Sequence, residues 1–273
     1  MAVLAGTWFL PAVAGLFGLT VGSFLNVCSL RWPQDQSVVA PRSRCPGCRE
    51  FIPWYDNIPV LSWIALRGKC RRCGEPISLQ YPLVELGTGL MWAGIVAVHG
   101  PTLEALRGAT FLTILFGISL SDARFYIIPH EFSWGGTALG LAMAFFPGGI
   151  DVVGAVVGAA AGYGVLWLVA VGGTWIIRKL APGRLEEHGV DSAMGGGDIN
   201  MMAMVGAFVG AWGVALTIFL GSVLALLVHG PISLIYRRLI PFGVFLAAAG
   251  ALAYVWGDAM VAWYLVSVLG IPG

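Results

Sequence analysis

Met194-Gly195-Gly196-Gly197-Asp198-Ile199-Asn200 opens a run, Ile199 to Tyr236, that holds no Asp, Glu, Lys or Arg over 38 residues. One membrane span needs about 20 apolar residues. The run therefore predicts two short spans, turning near Trp212-Gly213, and places the chain in a bilayer. An acid at the mouth of such a helix is costly to keep, so Asp198 asks for a functional reason. Gly195, Gly196 and Gly197 remove every side chain that would hold another backbone away from it.

The same character extends outward in both directions. Of 273 residues, 58% are hydrophobic and 11% charged, against about 25% charged in a soluble domain. The mean hydropathy is +0.84. Apolar runs at Thr7–Leu30, Leu83–Val98, Ala105–Ser121, Phe132–Ile150 and Val152–Ile177 precede the uncharged stretch, and Phe242–Val268 follows it. The last run reads as one helix or as two halves broken at Gly257. The expected class is an all-α polytopic membrane protein with about eight transmembrane helices and a small zinc-binding insert. The expected divisions are a first transmembrane helix in 1–30, the insert in 31–82, and a membrane core in 83–273. Polar loops are expected near 122–131, 178–197 and 237–241. No basic segment precedes the first apolar run, so no cleaved signal peptide is expected.

Charge placement predicts orientation. Eight of the 15 Lys and Arg lie between Arg31 and Arg72. With eight spans, every Lys and Arg except Arg107 falls on one side. By the positive-inside rule that side is the cytoplasm, leaving both termini outside. Asp122, ending the third run, and Asp198, opening the sixth, then share one leaflet and one depth.

Four of the five cysteines form Cys45-Pro46-Gly47-Cys48 and Cys70-Arg71-Arg72-Cys73. Two such pairs about 20 residues apart are the usual ligand set of a closed tetrahedral zinc site. Gly47 and Gly74 are expected to supply the flexible turn positions. With no open coordination position the metal would be structural, folding an insert that has little core of its own. Cys28, alone in the first run, reads as packing.

Hydrolysis of a peptide bond needs an activated water and a proton donor. Two carboxylates sharing one proton supply both, because like charges at close range cannot both ionise. Asp122 and Asp198 meet the requirement of equal depth on different helices. Each also has a plainer reading. Asp198 would sit well in the first turn of a helix on dipole grounds alone, and Asp122 would pair with Arg124 or Arg31. Glu85 and Glu131 also lie near cytoplasmic helix ends, Glu85 as a helix opener and Glu131 beside His130. Asp35, Glu50 and Asp56 read as solvated or structural, and His99, His188 and His229 show no partner pattern.

Further motifs follow in order: Gly22-Ser23-Phe24-Leu25-Asn26-Val27, then Asp56-Asn57-Ile58-Pro59-Val60-Leu61-Ser62-Trp63, then Leu66-Arg67-Gly68-Lys69-Cys70. After these come Ile77-Ser78, Tyr81-Pro82-Leu83-Val84-Glu85-Leu86, Asp122 with Ile128-Pro129, Gly195 with Gly197-Asp198, and Ile240-Pro241-Phe242-Gly243. With the two cysteine pairs, this series resembles the bacterial type IV prepilin peptidases, also called leader peptidases. The resemblance implies an eight-helix inner-membrane aspartyl protease of the GxGD kind. It implies cleavage of the short basic leader of prepilins or type II secretion pseudopilins after a glycine, at the cytoplasmic face. In many members N-methylation of the new terminus with S-adenosylmethionine follows. Asp122 and Asp198 fall on the family's catalytic pair, and Cys45, Cys48, Cys70 and Cys73 on its zinc set. The chain departs from the family at His130, where an acid is common, and at Asn200, where lysine is common. Lipid and prepilins are the expected partners, and no nucleic acid is expected. Two other classes stay open on the residues: a non-cleaving prepilin-binding relative, and a small ion-coupled transporter using its intramembrane acids.

Overall fold

The computed structural model describes residues 8–183, 185, 190–236, 241–267 and 270. Arg184, Glu186, Glu187 and His188 of the second polar loop, Arg237, Arg238 and Ile240, the first seven residues, and the side chain of His229 lie outside that description. Among the described residues regular structure is helical, apart from the isolated bridges Arg44–Phe51 and Lys69–Pro76. The helices are α1 (Phe9–Arg31), α2 (Leu61–Ala65), α3 (Gln80–His99), α4 (Leu103–Phe125), α5 (His130–Met143), α6 (Val152–Leu180), α7 (Gly196–Tyr236) and α8 (Phe242–Ser267).

Six described helices are long and apolar enough to cross a membrane. The expected eight runs map onto them in two steps. The fourth run is α5, only 14 residues long; the chain leaves helix after Met143, and Pro147-Gly148 follows with Gly148 at φ +91°. Asp151 then caps α6, accepting the Gly154 N–H at 3.1 Å. The sixth and seventh runs are both in α7, whose 41 residues break at Gly210 (φ +71°, ψ −179°). A straight helix of that length would reach about 60 Å, twice a bilayer core. The chain reverses instead: a Cβ placed at Gly250 would stand 3.7 Å from both Val205 and Thr217, residues on opposite sides of the break. The turn thus falls at Gly210, not at Trp212-Gly213, because Gly210 is the residue that takes positive φ. The last run is one helix, unbroken at Gly257.

The chain divides into two compact units, Met1–Thr113 and Ile114–Gly273, with the boundary inside α4. In the first, α1 and α3 pack antiparallel through small residues. A Cβ at Gly15 would meet Ala93 at 3.3 Å, one at Gly18 the Trp92 Cβ at 2.8 Å, and one at Gly22 the Glu85 Cα at 2.8 Å. Lipid gives helices no hydrophobic reason to associate, so close backbone approach supplies the attraction.

In the second unit α6 lies antiparallel to the first arm of α7. A Cβ at Gly158 would land on the Gly206 carbonyl, and one at Gly162 on the Met202 carbonyl. The start of α5 runs beside the start of α7, with Gly136 against Met204 and Gly140 against Ala207 and Phe208. The second arm of α7 returns along α8, where Gly221 faces Leu246 and Ala249. Met201, Met202, Met204, Val205 and Ala207 are fully buried at the centre of this unit. One end of it therefore gathers the end of α4 and the starts of α5, α7 and α8.

Candidate active site and metal centre

Asp122 occupies the last turn of α4 and is 5% exposed. The helix closes through Tyr126, at φ +57°, whose N–H donates to the Asp122 carbonyl at 2.9 Å. The chain then extends through Ile127 and Ile128 to Pro129, the N-cap of α5. Asp122 Oδ2 accepts the Val244 N–H at 3.1 Å and a bond from the Gly243 N–H. These donors lie in the first turn of α8, where backbone N–H groups have no partner within the helix.

Asp198 is the third residue of α7 and half-buried. Ile128, 7% exposed, sits between the two acids' neighbours. A Cβ at Gly197 would stand 3.0 Å from the Ile128 Cβ. One at Gly243 would stand 2.8 Å from the Ile128 Cδ1 and 2.9 Å from Asp122 Oδ2. The expected pair is thus brought to one end of one unit.

The three glycines do different work. Gly197 is consumed by Ile128, a Cβ at Gly195 would stand 3.3 Å from Asp198 Oδ2, and Gly196 faces open space among the described residues. Asn200 Nδ2 lies 3.5 Å from His130 Nδ1, so the two positions that depart from the family pattern meet each other. Glu131 is exposed.

Upstream of the glycines, Thr174 on α6 holds the approach. Its Oγ1 accepts the Ala193 N–H at 2.9 Å and donates to the Ala170 carbonyl at 2.6 Å. A Cβ at the adjacent Gly173 would stand 3.1 Å from the Ala193 Cβ. Thr174, Ile128 and Val244 were not singled out as site residues from sequence. A threonine inside an apolar helix, the Ile-Pro six residues after Asp122, and the Pro-Phe-Gly that opens α8 were the available signals.

Glu85 does not open its helix. It lies beyond the first turn of α3, buried, and its Oε2 accepts the N–H of Val60, the N-cap of α2, at 2.7 Å. That bond helps hold Val60 at φ +61°, a conformation β-branched residues rarely adopt.

The four insert cysteines converge, their sulfurs all within 4.8 Å of one another. Cys45 Sγ and Cys73 Sγ are 3.7 Å apart, close to the roughly 3.8 Å edge of a tetrahedron with Zn–S of about 2.3 Å. The donor set and its spacing thus fit zinc, and the cluster could hold a metal ion. The two knuckles are built alike. Cys45 N–H donates to the Glu50 carbonyl at 3.0 Å and Cys70 N–H to the Glu75 carbonyl at 2.8 Å. The positive-φ residue is Gly74 (+76°) in the second knuckle but Arg49 (+60°) in the first. Gly47 is not that position; it packs against Glu75, which a Cβ would approach to 3.2 Å. The N–H groups of Cys73 and Arg72 lower the Cys70 thiol to about 6. Asp56 ties the second knuckle to the insert through Arg71 at 2.6 Å and raises the pKa of that guanidinium.

A multi-pass helical membrane protein with two acids brought to one end of a helical unit, and with a four-cysteine cluster, defines a narrow class. Residues 16–100 match the family model for the bacterial peptidase A24 N-terminal domain, and residues 109–230 match that of the type IV leader peptidase family. The chain belongs to the type IV leader peptidase family. It is 33% identical to a prepilin leader peptidase/N-methyltransferase of Aeromonas hydrophila, over 96% of each chain. It is 32% identical to one of Bacillus subtilis (strain 168), over 93% of this chain and 98% of that protein. A Myxococcus xanthus (strain DK1622) relative of the same name is 41% identical over 71% of this chain and 54% of that protein. No solved structure matches.

Proposed function

We propose that the chain is an intramembrane aspartyl endopeptidase that removes the basic leader of prepilins or pseudopilins after glycine and then N-methylates the new terminus. The observation that carries this reading is the meeting, at Ile128, of the backbone beside Asp198 and the backbone that holds Asp122, within a chain of this family. One acid takes a proton from water as its oxygen attacks the scissile carbonyl carbon, and the other gives its proton to the carbonyl oxygen. Collapse of the tetrahedral intermediate sends a proton to the departing amine. Asp122 is held through one carboxylate oxygen by the start of α8. Gly195 and Gly196 let an extended substrate backbone lie beside Asp198, while Gly197 keeps Ile128 close.

Cys45, Cys48, Cys70 and Cys73 would hold a structural zinc that folds the 31–82 insert. S-adenosylmethionine, when bound, supplies the methyl group. A cavity of about 250 Å³ between α1 and the insert, lined by Arg31 and Arg42 and by no acidic residue, offers no partner for that donor's sulfonium or ammonium. The bacterial inner membrane with the acid pair on the cytoplasmic face is the location this function requires, and the basic residues around Arg31–Arg72 support it.

The test is a peptide with a basic leader, Gly, Phe and an apolar helix, incubated with the full chain in detergent, with and without S-adenosylmethionine. Cleavage after Gly, and a gain of one methyl mass only with the donor, is expected. No cleavage at any pH from acid to neutral would overturn the peptidase reading in favour of a binding or transport protein.

A further inference from the structure

We propose that the cavity between the end of α1 and the insert is a site for the phosphate of an anionic phospholipid. Phe24, Val27 and Arg31 lie on one face of α1 and line it, rising about 10 Å from within the span to its edge. Phe24 is 53% exposed and lies within the span, where an acyl chain would run. Above it Arg31, Arg42, Ser43 and Asn57 line the cavity among the apolar Val38, Val39, Pro41 and Ile52. Trp54 completes the wall at 74% exposure, as suits the headgroup level where Trp gathers.

Charge decides the occupant. The lining includes two arginines and no acidic residue. Arg31 spends one N–H group on the Ser37 carbonyl at 2.9 Å, which leaves most of its five donors free for another acceptor. Arg42 makes no ion pair among the described residues. Arginine forks match phosphate oxygens in geometry as well as charge. An apolar wall that continues into the bilayer favours a phosphate carrying acyl chains over a free one. The inference stands apart from the peptidase reading, since it uses neither acid of that site.

The experiment is native mass spectrometry of the full chain titrated with phosphatidylglycerol or phosphatidylcholine, for the wild type, Arg42→Gln and Arg31→Gln/Arg42→Gln. Preferential retention of phosphatidylglycerol is expected, about fivefold weaker for each arginine removed, the factor given by about 1 kcal/mol per basic residue at a lipid surface. Lys179→Gln, which removes a basic residue stacked on Trp175, is expected to bind as the wild type. Unchanged zinc content in each variant reports an intact insert. Equal retention by wild type and double variant, or no preference between the two lipids, overturns the proposal. So does displacement by millimolar inorganic phosphate, which would name a free anion, or by S-adenosylhomocysteine, which would name the methyl donor.

Discussion

Val244 donates its backbone N–H to Oδ2 of Asp122 at 3.1 Å, across 122 positions of sequence. The bond makes the last helix a support for an acid on the fourth helix, and Gly243 is what lets it form. A Cβ there would stand 2.9 Å from the same oxygen. Gly243→Ala is expected to displace the carboxyl and lower kcat about a hundredfold, the cost of roughly 1 Å of misplacement in a catalytic group. Cleavage kinetics in detergent check this.

Asp122→Asn and Asp198→Asn are each expected to reduce cleavage by about 10²–10⁴-fold, the range for loss of a general acid or base. Their double variant should be little worse than either single one, since the two act as a unit. Single-turnover assays with a prepilin-like peptide give the numbers. Retained cleavage in either single variant would remove that aspartate from the mechanism.

The contact of Gly158 with Gly206 leaves no room for a methyl group on either helix. Gly158→Ala is expected to separate α6 from the first arm of α7 and cost about 1–3 kcal/mol, as overpacking does. Gly164, whose Cβ would meet nothing within 4 Å, is the control, and Gly164→Ala should be near neutral. Unfolding in mixed detergent compares them.

Thr174 is a positioning residue, acting on Asp198 through Ala193 and the glycines. Thr174→Val keeps the shape but removes the acceptor of the Ala193 N–H. It should lower kcat about tenfold with KM little changed, as expected for about 1.4 kcal/mol lost in the transition state only. Thr174→Ser should restore the rate; an equal deficit in both variants would reduce Thr174 to packing.

Removing the metal should unfold the insert, with loss of protection from exchange in 41–76 and little change in the membrane helices. N–H groups lower the Cys70 thiol from 9.0 to about 6, while burial and the sulfurs around it raise the Cys73 thiol to about 11. The stabilising contribution of Cys70 is therefore full above the ordinary 9.0 and is lost as the pH falls through about 6. Metal retention in the presence of a weak chelator is expected to fall over the same acid range, because protons compete for the ligand.

Much of this was legible in residue order because a bilayer permits few solutions. Uncharged runs marked the helices. The cysteine spacing marked a cluster that could hold a metal ion. Residue order places the reversal near Trp212-Gly213 but does not single out Gly210, because the chain has 39 glycines and only backbone geometry shows which one takes positive φ. The same limit hid Arg49 as the counterpart of Gly74 in the first knuckle. The Val244–Asp122 bond was invisible because a backbone donor carries no sequence signature.

The reversal at Gly210 also sets a parity. Between Asp198 and Val244 the chain passes along its unit twice, out along one arm of α7 and back along the other, so it returns to the level from which it left. An odd number of passages would deliver the start of α8 to the opposite face, and Asp122 would lose both backbone donors. Helices can thus be gained or lost between these residues only in pairs, whatever happens to their sequence.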